Sequence, residues 1–216
     1  MPEVTITVRA EHRARRAPEE AVARITVRAE GPDRGEVVER IATLAAPIRD
    51  DLAERADSGS LAEWSSQRVA VWSDRPWAEG KQLAVVHHAA VDVTATFTDF
   101  AALSWWLTQV AQRDGVQVGD IEWRLTAATR DAVEKEVATR AVQVAVERAT
   151  AYAGALGLSE VSPTQIADLG LLAPGDTPPA LRMAKAAFGT AGAPAVDFQP
   201  ADIEVAASVE ARFVAR

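Results

Sequence analysis

The 216 residues suffice for one large domain or two small ones, with roughly 70% of the unfolded surface buried on folding. Composition is globular, 48% hydrophobic and 25% charged, and no window approaches the roughly 18 to 20 uninterrupted apolar residues of a membrane span. The lack of cysteine excludes disulfides, thiolate nucleophiles and cysteine-ligated zinc, and a formal net charge of -8 argues against general nucleic-acid binding, which needs a surplus of Lys and Arg.

The opening stretch MPEVTITVRAE alternates and carries charge where a secretory signal would be continuously apolar. The expected location is therefore cytoplasmic, with the envelope as the alternative if the chain is N-terminally processed. ITVRAE occurs twice, at Ile6–Glu11 and Ile25–Glu30, and its Ile, Val and Ala alternate with Thr, Arg and Glu. That is the period of a strand with one buried face. The polar stretch HRARRAPEEA reads as a link between neighbours, so the two copies are expected to form one antiparallel pair with Ile6, Val8, Ile25 and Val27 on the core side.

GPDRGE starts a helix whose Val37, Val38, Ile41, Leu44, Ile48 and Leu52 recur at helical spacing, with a kink or break expected at Pro47. After the loop ADSGS, SQRVAVWS reads as a third strand. DRPWAEGKQ is then a loop into the long alternating run LAVVHHAAVDVTATF, with Val91, Val93, Ala95 and Phe97 on one face. Asp99 or Thr98 caps the next helix, which buries Leu103, Trp106, Leu107 and Val110. VQVGD connects to a fifth strand, IEWRLTA. A long alanine-rich helix is predicted from Asp131 to Leu156, carrying Val133, Val137, Ala141, Val144, Tyr152 and Leu156 on its packed side. LSEVSPTQIADLGLL returns to the sheet with an interruption at Pro163. Residues 172–201 form a proline- and glycine-rich loop or flap in which ALRMAKAAF could make a short helix. IEVAASVEARFVAR supplies the last strand.

These elements predict an α+β protein with a largely antiparallel sheet covered by helices, one domain over residues 1–216 or two lobes. In order, they resemble the SIMPL-domain family. The resemblance is carried by ITVRAE, by APEEAVARITVRAEG, by HHAAVDVTATFTDFAALSWWLTQVAQRDGVQVGDIEW, by the alanine-rich helix ending in AYAGALGLSEV, and by the terminal IEVAASVEARFVAR. It implies an assembly and binding scaffold with no catalytic residues to carry over. The ring or channel-like oligomers of some members imply a homo-oligomer, with a protein or small molecule as a further partner.

Chemistry is less visible. His87 and His88 are adjacent on a strand and point to opposite faces, so they do not readily share a metal ion. The carboxylate pairs Asp50 and Asp51, Glu134 and Glu136, and Glu19 and Glu20 follow solvated-helix and turn spacing. GPDRGE lacks the Gly-Lys-Ser/Thr of a phosphate loop, and Ser65, Ser66, Ser104 and Ser159 lack a nucleophile elbow. Arg13, Arg15 and Arg16 are flanked by acids, which favours solvation over nucleic-acid recognition. No catalytic residue, cofactor or metal ligand is assigned, and a non-enzymatic role is preferred to an enzyme with a cleft active site. Among six tryptophans, Trp106 continues an apolar stripe, whereas Trp72, Trp77 and Trp105 are candidates for an interface or ligand surface.

Overall fold

Both copies of ITVRAE lie inside longer strands, β1 (Val4–Arg16) and β2 (Glu20–Gly31). They are followed by α1 (Arg34–Asp57), β3 (Glu63–Asp74), β4 (Trp77–Ala78), β5 (Lys81–Gln82), β6 (Val86–Phe97), α2 (Phe100–Val110), β7 (Val116–Arg124), α3 (Ala127–Ala155), β8 (Val161–Asp168) and β9 (Ile203–Ala215). The computed structural model describes residues 3–172 and 198–216. The helix read in ALRMAKAAF and most of the 172–201 loop lie outside the described residues. All pairings among the described strands are antiparallel, and the class is α+β.

The chain divides into two compact units. In one, strand order is β1-β9-β8, with α3 against the sheet. The second holds the order β3-β6-β2-β7, with α1 and α2, and the small β4-β5 hairpin. The expected pairing of the two ITVRAE strands is therefore not made: β1 pairs with β9, and β2 lies between β6 and β7. Alternation specifies which face of a strand is buried and leaves its partner to long-range contacts. HRARRAPEEA is itself mostly strand, leaving only Ala17, Pro18 and Glu19 between β1 and β2. The buried faces are as predicted, with Ile6, Val8, Ile25 and Val27 all in cores.

Asp33 caps α1 by accepting from the Glu36 amide, and Val37, Ile41, Ala45, Ile48 and Leu52 form its buried stripe. The helix continues through Pro47 without a break. Both Pro47 and Thr43, whose carbonyl loses its helical donor, are on the exposed side, where water can serve that carbonyl. Asp99 caps α2, accepting from Ala101 and Ala102, and the helix buries Leu103, Trp106, Leu107 and Val110 as expected.

Three readings change. DRPWAEGKQ contains the β4-β5 hairpin, turned by Glu79 and Gly80 at φ 51 and 76, the positive pair that a type I′ turn requires. VQVGD belongs to β7 and contains its bulge, where residues 119 and 120 face Arg24; Gly119 allows the Arg24 carbonyl to approach. On α3, Tyr152 and Leu156 are exposed, and the packed stripe runs through Ala141, Ala145, Ala149 and Ala153. Alanines bring the helix axis close to β1 and β9, and bulky residues sit outside that close approach. Pro163 stays within β8 because β8 is an edge strand, and a register shift follows at Gln165.

Candidate functional site

The four-stranded sheet has a helix-covered face and a polar one. On β6, Ala89, Val91, Val93, Ala95 and Phe97 point into the core with α1 and α2. His88, Asp92 and Thr94 alternate onto the other side. Register then places Glu30 of β2 and Trp72 of β3 directly opposite His88 on that face.

The His88 imidazole is held on three sides. Trp72 stacks on its face with ring centroids 5.2 Å apart. Nε2 lies 3.2 Å from Asp74 Oδ1, and Nδ1 lies 3.5 Å from Glu30 Oε2. A neutral imidazole has one N–H and donates to one carboxylate at a time, whereas the protonated ring donates to both. Arg28, Ala29, Glu30, Trp72, His88 and Ala89 border an open recess of about 440 Å³. His87, facing the other way, pairs through Nδ1 with Ser73 Oγ at 2.7 Å. The opposed directions read from HH are thus present, with different partners on each side. Among the described residues no group of three or more His, Asp or Glu side chains converges as a metal site.

Trp72 is 44% exposed and Trp77, on the hairpin that follows β3, is 70% exposed. Trp105 is 63% exposed but projects from α2, on the helix-covered side of the sheet. Of the three tryptophans singled out by sequence, Trp72 lies on β3, Trp77 on the hairpin that follows it, and Trp105 on α2. Trp106 is fully buried, tilted against Phe97, and donates from Nε1 to Asp51 Oδ2 at 2.8 Å. Asp51 also accepts from Arg55, which assigns that carboxylate to structure.

The other charged candidates are similarly engaged. Arg13 and Arg15 both reach Glu204, and Arg16 reaches Glu136. Hydrogen bonds from Arg13 and Arg15 hold the Glu204 carboxyl below its usual range. The basic run is a strand in a carboxylate ladder, where a loop was expected. Burial opposes the charge of Arg124, but hydrogen bonds to Glu20 and Glu63 prevail and hold its guanidinium above the ordinary value. Sequence reasoning missed the Glu30–His88–Trp72–Asp74 cluster because it depends on cross-strand register. Its traces in the sequence were Trp72, a surface candidate by itself, and a histidine on the polar side of a long alternating run.

Comparison with known proteins adds a family. The chain matches SIMPL, described as a protein of unknown function (DUF541), over residues 6–213. No curated protein matches it. The chain belongs to the SIMPL family.

Proposed function

We propose that this SIMPL-family chain is a non-catalytic scaffold that associates with copies of itself along the β3 end of its four-stranded sheet. The observation that carries this reading is an edge strand with aromatic anchors: β3 is the outer strand of its sheet, bears Trp72, and runs into the hairpin bearing Trp77. An edge strand offers unpaired N–H and C=O groups to another strand, and exposed indoles supply apolar area at little entropic cost. Edge pairing would also accommodate the charged polar face, since backbone hydrogen bonding leaves side chains free to pair across strands. Trp105 provides a separate anchor on α2 for a further partner. Among the described residues no helix is long and apolar enough to cross a membrane.

Sedimentation velocity over roughly a hundredfold concentration range tests the assembly. A concentration-dependent oligomer that dissociates in the Trp72→Ser/Trp77→Ser variant supports it. A single monomeric species throughout would overturn it.

A further inference from the structure

A second feature of the same sheet carries a ligand prediction that does not rest on self-association. α1 lies over the helix-covered face, but it leaves an open groove of about 530 Å³ between itself and β3, within the range usual for small-molecule sites. Two features of the chain create it. The pairing of β3 with β6 shifts by one residue between Ser65 and Arg68, and this bulge bends the edge strand. Opposite the bulge α1 presents Ala42 and Ala45, whose small side chains do not fill the space.

The groove is apolar along its floor and polar at one end. Ile41, Ala45 and Val91 are buried core residues that also line it, with Trp64 as a partly buried wall. Val38 and Val69 extend the apolar surface outward, 44% and 66% exposed. Along α1, Val38, Ala42, Ala45 and Arg49 follow one helical stripe, so Val38 and Arg49 are separated by about 16 Å of helix rise. Arg49 makes no ion pair or hydrogen bond among the described residues. Ser65 and Ser66 of β3 border the same groove.

Charge decides the class of ligand. The chain has 31 acidic against 23 basic residues, yet among the described residues no acidic side chain lines the groove and one guanidinium without a partner does. A cation would find no counter-ion there. A carboxylate would find the planar donor fork of Arg49, which matches its two oxygens. We infer that the groove between α1 and β3 binds a small amphiphilic carboxylate: an unbranched apolar chain lies over Ile41, Ala45 and Val91, and its single carboxylate is held by Arg49.

Isothermal titration calorimetry with decanoate and decanol, each kept in its monomeric range, tests this on the full chain. Decanoate is expected to bind the wild type and to bind Arg49→Gln at least about tenfold more weakly. Decanol, which lacks the charge, should bind both proteins alike and more weakly than decanoate binds the wild type. Ala42→Phe, at an exposed helix position, fills the groove and should abolish both heats while leaving the circular dichroism of the fold unchanged. Absence of decanoate binding, or equal decanoate affinity in wild type and Arg49→Gln, would overturn the assignment. Since binding is read from the groove variants and assembly from the tryptophan variants, the two readings fail separately.

Discussion

The Trp72 indole and the His88 imidazole lie nearly parallel, 14° between their planes, across two neighbouring strands. The stack orders a side chain that would otherwise rotate freely at the sheet edge. His88→Ala should therefore increase iodide quenching of the Trp72 emission component, isolated by subtracting the spectrum of Trp72→Phe. The stability cost should be modest, about 0.5–1.5 kcal/mol in urea unfolding. Unchanged quenching would mean that His88 does not hold the indole.

Trp106 makes the opposite case, a tryptophan committed to the core. Trp106→Phe keeps most of the buried ring but removes the donor to Asp51, which retains Arg55. The expected loss is about 1–2 kcal/mol. Trp106→Ala removes the ring as well and should cost about 3–5 kcal/mol. Urea unfolding of the two variants separates the hydrogen bond from the packing, and equal losses would contradict that division.

Gly115 precedes β7 at φ 72, and a Cβ there would meet the carbonyl oxygen of Arg28. The same residues are joined by a hydrogen bond from the Arg28 amide to the Gly115 carbonyl, 2.7 Å. Gly115→Ala thus combines an unfavourable backbone conformation with a clash against main chain. A destabilisation above about 1 kcal/mol is expected in thermal or urea unfolding. Gly59, also at positive φ but with open space around its Cβ position, should tolerate alanine better.

Acid should weaken the β1-β9-β8 unit through Glu204 and Glu210. Arg9 donates to Glu210 and, despite opposing burial, helps to hold its carboxyl below the usual range together with backbone amides of Leu172 and Gly170. Arg13 and Arg15 do the same for Glu204. Because both folded-state values are depressed, their contribution is fully present above the unfolded carboxylate value of about 4.3 and is lost as pH falls through the folded values. The urea midpoint should fall as pH drops below about 4.3, and the fall should be smaller in Glu204→Gln/Glu210→Gln. An identical acid slope in the variant would remove these two groups as its source.

What could be read from the sequence was local. The alternation of β6 placed Val91, Val93, Ala95 and Phe97 in the core, and the spacing of α2 separated buried Trp106 from exposed Trp105. A cap at Thr98 or Asp99 was recognisable because short acceptors stood just before the apolar stripe, and Asp99 takes that role. Pairing was not local: β1 reaches β9 across nearly the whole chain, and no property of ITVRAE names that partner. The same limit hid the candidate sites. Trp72 meets His88 only through the β3-β6 register, and the groove at Arg49 exists only because a bulge in β3 faces small residues of α1. On α3 Val133, Val137 and Ala141 pack inward as expected, whereas Tyr152 and Leu156 were expected inward where Ala145, Ala149 and Ala153 pack.

Four alanines at equal spacing have a further consequence for α3. Advancing that helix by four residues, about 6 Å along its axis, would lay Ala145, Ala149 and Ala153 where Ala141, Ala145 and Ala149 now sit. The stripe by itself therefore discriminates poorly between neighbouring alignments, as a ruler with identical marks does. Unlike residues at one end remove the ambiguity: Val133 and Val137 fit against Ala14, and a slipped helix would put an alanine where Val137 now packs. The Arg148 guanidinium, donating to the Arg9 carbonyl, adds a directional latch midway. Alignment of the longest helix thus depends on a few asymmetric contacts, and Val137→Ala should relax its positional uniqueness more than its helicity.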